Sequence, residues 1–105
     1  MAPVYRVDRF VVPADARDEF WKNVRRTHEV LRRQPGFVED ALLENRLDED
    51  RYDIVTIARW ASADDLANAK AAVERSHQEA QFSPPEFFRR AGIEADLGTY
   101  VRVDE

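Results

Sequence analysis

The chain contains no cysteine. Disulfides, thiolate metal sites and a cysteine nucleophile are therefore excluded. The absence is neutral about compartment but consistent with the cytoplasm, which is the expected location. Glycine is scarce, with three in 105 residues, and there is no repeat or low-complexity segment. No apolar run approaches membrane-spanning length, and the opening residues lack the apolar stretch of a signal peptide, so neither a membrane association nor a secretory leader is expected. A basic excess is missing as well. Sixteen basic residues stand against 21 acidic ones, for a net charge of −5. No basic run interleaves with aromatics, which argues against nucleic acid as a partner. The pairs Arg25-Arg26, Arg32-Arg33 and Arg89-Arg90 sit among acids and read as solvated helix faces.

What is present describes a soluble globular chain. Apolar residues make up 44% and charged residues 35%, the balance of an ordinary folded domain. The length fits one domain over residues 1–105. A core this small gains much from an oligomer interface.

The most informative stretch is Tyr52 to Trp60. Ile54, Val55, Thr56 and Ile57 are β-branched in succession, the pattern of a strand buried on both faces. A first strand is expected over Val4–Val12. Val4, Phe10 and Val12 share one face with Arg6 and Asp8, while Tyr5, Val7 and Val11 share the other with Arg9. Pro13 ends it. A helix capped by Asp15 or a neighbour runs to about Arg33, with Asp18 and Glu19 favouring its first turn. At about 100° per residue, Phe20, Trp21, Val24, His28 and Leu31 form its apolar stripe. Gln34-Pro35-Gly36 stops it and turns the chain into a second strand, Phe37 to about Arg46. Leu47–Arg51 is a charged hairpin connection to the Trp60 strand.

Ser62 caps a second helix, with Asp65 in the capping-box position. Its stripe is Leu66, Ala69, Val73, His77 and Ala80, with Lys70 at the edge. So Ala-rich a stripe lies close to the sheet or leaves space beside it. Ser83-Pro84-Pro85-Glu86 starts a short third helix that carries Phe87 and Phe88 and ends at Gly92. Asp96-Leu97-Gly98 then leads to a last strand, Thr99–Val103. Tyr52 and Tyr100 read as strand packing. The order β-α-β-β-α-β, with a short extra helix before the last strand, is the α+β, ferredoxin-like split βαβ arrangement. Helices cover one sheet face. The other face is also partly apolar, and pairing of two copies through their sheets would bury it. A homodimer is expected.

Glu19-Phe20, Gln34-Pro35-Gly36-Phe37, the hairpin and Trp60-Ala61-Ser62 stand in an order and spacing that resembles the antibiotic biosynthesis monooxygenase domain, a branch of the dimeric α+β barrels. The resemblance covers about residues 4 to 103. It implies two sheets face to face and a cavity between the sheet and helices of each subunit. Some members oxygenate aromatic polyketides or quinols without metal, flavin or nicotinamide. Others degrade haem or isomerise small molecules. The haem-degrading branch uses an Asn on the first strand and a Trp and a His on the second helix. The corresponding positions here are Asp8, near Ala69, and about two residues beyond His77, so haem degradation is the less favoured reading.

The chain has two histidines, and His28 and His77 both project from apolar helix faces. A cofactorless oxygenase needs an apolar pocket for a flat aromatic molecule, a base and a donor to hold the resulting anion. A histidine in an apolar wall stays neutral at pH 7 and can be that base. A core histidine tied to a carbonyl or carboxylate is the competing assignment for both. His77 also lies near a helix C-terminus, where the dipole favours a cation. The expected catalytic residues are His28, His77 and Asp8, the last as an orienter. Phe20, Trp21, Val24, Trp60 and Val73 are the expected substrate-binding wall. Asp8 needs a partner such as Arg17 or a histidine if it faces the helices, and pairs across subunits if it faces the dimer. His28, His77 and Asp8 could be drawn as a two-histidine, one-carboxylate set, but no spacing demands it, and neither metal nor cofactor is expected. The reading is a cofactor-independent monooxygenase that takes a small aromatic substrate and molecular oxygen. A non-enzymatic binding module and an isomerase or cyclase on the same fold are the alternatives.

Overall fold

A computed structural model describes residues 2–104 of the chain. Four strands, β1 (Val4–Pro13), β2 (Phe37–Arg46), β3 (Arg51–Trp60) and β4 (Glu94–Tyr100), form one antiparallel sheet in the order β2-β3-β1-β4. The helices are α1 (Arg17–Arg32), α2 (Ala63–Glu79) and α3 (Pro84–Ala91). This is the expected ferredoxin-like α+β arrangement. No helix among the described residues is long and apolar enough to cross a membrane.

Strand alternation positions the core. Val4, Phe10 and Val12 of β1 and Ile54, Ala58 and Trp60 of β3 are buried under the helices, as the period of two requires. Burial is not continuous along the sheet. One cluster gathers Phe10, Val12, Phe20, Trp21, Ile54 and Phe87. A second gathers Val4, Ala58, Trp60, Leu66 and Ala69. Between them the helix-facing positions of β1 are Arg6 and Asp8, opposite Ala58 and Thr56 of β3.

The opposite face carries Val7 against Ile57 and Ala41, and Arg9 against Val55 and Leu43. Val55 and Ile57 are only half-buried, and Leu43 is 50% exposed. The helices cover one face of β3, as expected, and leave the other face half-open within one chain.

Three elements differ from the sequence expectations at their ends. Asp15 does not cap α1. Ala14–Ala16 wind a 3₁₀ turn, and Ala16 precedes the helix with no side-chain cap bond. The bond from Ala14 N to Asp50 O (2.7 Å) and the burial of Ala16 tighten the chain there. β4 begins at Glu94 rather than Thr99 and ends at Tyr100 rather than Val103. It is a polar, mostly exposed edge strand, drawn into the sheet by its ladder to β1 from Val11↔Glu94 to Tyr5↔Tyr100, and side-chain periodicity carries no record of that ladder. Ala80 falls just past the end of α2 and is exposed.

The caps of α2 and α3 follow the sequence. Ser62 Oγ accepts from Asp65 N and donates to Asp65 Oδ2. Ser83 Oγ accepts from Glu86 N. Gly92 closes α3 at φ +73°. Gly36, at φ +84°, makes the turn into β2, and a Cβ there would collide with the Asp65 carboxylate. The Gly36 carbonyl also accepts from Ala61 N (2.8 Å), which ties the end of β3 to this turn.

Gly36→Ala is expected to cost at least about 1 kcal/mol, since it combines a disfavoured backbone region with a collision at a helix cap. A chemical denaturation midpoint equal to that of the native protein would contradict this. Glu44 accepts from Arg17 Nε (2.6 Å) and from Trp21 Nε1 (2.8 Å). Glu44→Ala orphans a buried indole N–H and is expected to cost about 1–2 kcal/mol. The Arg17 hydrogen bond holds the Glu44 carboxyl below its ordinary 4.5. Its stabilisation is therefore present above that value and lost as pH falls through the depressed folded value. The stability gap between native protein and Glu44→Ala should narrow in that acid range.

Candidate active site

The helices stand off the sheet where its apolar face is interrupted. A cavity of about 230 Å³ opens there, walled by Phe10, Phe20, Phe82, Phe87, Phe88 and Leu97, with Val24, Val73, Thr27 and Thr56 among the smaller linings. Arg6, Asp8, His28 and His77 are its ionisable residues. A second cavity of about 330 Å³ adjoins it and shares Arg6, Asp8, Thr27, Val73 and His77.

Asp8 faces the helices and not the outer sheet surface. Its partner is Arg6, two residues away on the same strand, at 2.6 Å from Arg6 Nε to Oδ1. This corrects the expectation of Arg17 or a histidine. Arg17 lies beyond β3, where it grips Glu44. Burial raises the Asp8 carboxyl above its usual range even though the Arg6 hydrogen bond and charge, with His28 and Lys70 further off, pull it down. Desolvation outweighs a short charge-assisted bond, as happens where water is largely excluded from an acid.

His28 is buried in α1. Its Nδ1 lies 3.0 Å from Asp40 Oδ2 on β2, and Arg32 Nε donates to the same oxygen at 2.8 Å. Burial alone would raise Asp40, but the bonds from His28 and Arg32 win and hold its carboxyl below the usual value. An ionised acceptor requires a proton on Nδ1, which commits that nitrogen to Asp40 and leaves Nε2 as the ring's other polar atom.

His77 comes from α2. Its Nε2 is 3.3 Å from Thr27 Oγ1, and its ring meets Phe82 edge-on at 5.4 Å. Its pKa is lowered from 6.5, first by burial and then by the charge of Arg26, with Glu74 opposing. The dipole expected at this helix end would raise it. That effect is worth about 1 kcal/mol or less, and the apolar surroundings prevail. His77 is neutral at pH 7.

Of the expected wall, Phe20, Val24 and Val73 line the first cavity. Trp60 lies under the second, fully buried. Trp21 lines neither; its indole N–H is committed to Glu44. Asp40, Thr27 and the α3 phenylalanines had no assigned part in the site. For Phe87 and Phe88 the helix-start box was the signal. For Asp40 there was none, because it meets His28 only across the turn. Among the described residues no group of three His, Cys, Asp or Glu side chains is placed to hold a metal ion. Chemically, the site offers an aromatic-walled cavity, a neutral histidine, a second histidine oriented by a carboxylate, and a half-buried carboxylate paired with Arg6.

A family model for antibiotic biosynthesis monooxygenases matches residues 3–82. No curated protein matches the chain. Among solved structures, a mutant of SnoaB from Streptomyces nogalater, described as a cofactor-independent oxygenase, is 28% identical. The match covers 100% of this chain and 97% of that one, with a TM-score of 0.68. Rv0793 from Mycobacterium tuberculosis is 18% identical, covers 99% and 98%, and has a TM-score of 0.68. MhuD, in a mutant with two manganese protoporphyrin IX molecules bound per active site, is 22% identical, covers 97% and 96%, and has a TM-score of 0.68. The last two likenesses concern the fold alone. With the family model spanning most of its length, the chain belongs to the antibiotic biosynthesis monooxygenase family.

Proposed function

We infer that this protein is a cytoplasmic, homodimeric, cofactor-independent monooxygenase acting on an aromatic polyketide or quinol-type molecule. The observation that carries the reading is the meeting of His28 and His77, from different helices, at one cavity walled by aromatic side chains. The likeness to SnoaB supports it. The half-apolar outer sheet face, with Val7, Ile57 and Ala41 in one row, supports the dimer.

In this mechanism the flat substrate lies between the phenylalanines. Neutral His77 takes a proton from an activated C–H or phenol. Thr27, beside its Nε2, orients the ring. His28, held by Asp40, offers a second basic nitrogen, and once protonated it can donate to the substrate oxygen that gains negative charge. The electron-rich anion transfers an electron to molecular oxygen. Recombination of the two radicals forms a C–O bond, protonated His77 returns its proton to the peroxide, and the hydroperoxide then loses water, taking the remaining hydrogen of that carbon, to leave a carbonyl. One oxygen atom enters the product and the other leaves as water, so no external reductant is required. The dry aromatic wall keeps bulk water from quenching the anion.

A specific observation favours a second reading. His28 is tied to Asp40, which is itself tied to Arg32, as in a structural core histidine. On a non-enzymatic binding module, histidine variants would retain ligand and no variant would differ in turnover.

Oxygen uptake by metal-free protein with anthrones and hydroquinones separates the two. Native protein should exceed the spontaneous rate, and His77→Ala should lose about 10²–10⁴-fold in turnover, the usual worth of a positioned base. Undiminished uptake after replacing both histidines would sink the oxygenase assignment. The pH profile gives a further check. His77 acts in its neutral form and its pKa lies below 6.5, so activity should rise with pH and reach its half-value below 6.5. Arg26→Gln removes a repelling cation and should move that half-value upward. An unmoved profile would mean that His77 is not the titrating group.

A further inference from the structure

The second cavity is not a copy of the first. Its floor is Ala58, Trp60 and Leu66, and two charged side chains of α2, Lys70 and Glu74, stand at its edge. Arg6 reaches it too, but Arg6 is already neutralised by Asp8 at 2.6 Å. Lys70 has no ion pair among the described residues. Glu74, one turn further along α2, is its neighbour on the same helix face. The chamber edge therefore carries a cation that no carboxylate among the described residues bonds, with Glu74 one turn away. A second feature is independent of Lys70. The Nε1–H of Trp60, in the chamber floor, is buried and has no acceptor. A buried donor without a partner costs stability in the free protein, and this one is sealed beneath the floor, out of reach of a ligand in the chamber.

We propose that the second chamber receives a carboxylate at the end of the aromatic substrate remote from the reacting ring, with Lys70 as its counter-charge. The assignment rests on the proposed occupancy of the first chamber by the aromatic ring system. The shared wall of Arg6, Asp8, Thr27, Val73 and His77 gives such a molecule a continuous path. A fused-ring acid would lie with its reactive ring among the phenylalanines and its carboxylate toward Lys70. The whole chain carries a net charge of −5, so its long-range field disfavours an anion. A preference for one must come from a local cation.

The test is equilibrium binding of anthraquinone-2-carboxylate and of anthraquinone-2-carboxamide, two probes of nearly the same shape, to native protein and to Lys70→Met and Lys70→Arg. Lys70 is exposed and outside both core clusters, so neither change threatens the fold, and circular dichroism confirms that. Native protein should bind the carboxylate about tenfold tighter than the amide, as expected of one charge-assisted contact. Lys70→Met should abolish that preference by weakening the acid alone, and Lys70→Arg should keep it. Equal affinity for both probes in native protein, or a preference that survives in Lys70→Met, overturns the role of Lys70 while leaving the aromatic chamber intact. Binding of neither probe overturns the occupancy of the chambers and this assignment with it.

Discussion

An ion pair at the centre of the sheet's helix-facing side sets the terms for the rest of this molecule. Alternation along β1 brings Val4, Arg6, Asp8, Phe10 and Val12 to the same face. Three of these belong in a core and two do not. A carboxylate sealed in dry packing costs several kcal/mol even when paired. The core accordingly divides, with one cluster around Phe10 and Phe20 and another around Trp60. Arg6 and Asp8 keep about a fifth of their side-chain surface open. The cavities lie over the interval that the pair interrupts, so the feature that weakens the core also creates the room for a ligand.

Three competitions around this space end differently, each decided by how much water remains and how many donors converge. Asp8 has one hydrogen-bonding cation and substantial burial, and burial wins. Asp40 receives both His28 and Arg32, and the two donors win over burial. At His77 an apolar wall and a neighbouring Arg26 outweigh the charge of Glu74. The outcome is two carboxylates displaced in opposite directions and a histidine kept neutral between aromatic walls. Asp8 and His77 line the first cavity, and Asp40 stands behind His28.

Much of this was legible in the order of residues. The period of two in β1 and β3, the stripe from Phe20 to Leu31, the Ser62 and Ser83 caps and the Gly36 turn are local patterns, and each appears where its spacing requires. Glu19-Phe20, Gln34-Pro35-Gly36-Phe37, the hairpin and Trp60-Ala61-Ser62 together, in their order and spacing, carried the resemblance to the family. The misses share a cause. β4 is an exposed edge whose residues match no periodicity, and its place comes from hydrogen bonds to β1. Trp21 lies on the same stripe as His28, yet it turns to Glu44, because a helix stripe is wider than the cavity it borders.

Sequence alone determined the element order, the apolar stripes of α1 and α2, and the fact that both histidines project from them. These depend on neighbours a few positions apart, through the fixed periods of helix and strand. Tertiary structure alone decided what each inward group meets: Asp8 its strand neighbour Arg6, His28 the Asp40 across the turn, His77 a threonine 50 residues away. Such partners are chosen by the crossing of α1 and α2 over the sheet, and by the space left where an ion pair keeps the core apart. No short-range period encodes that crossing.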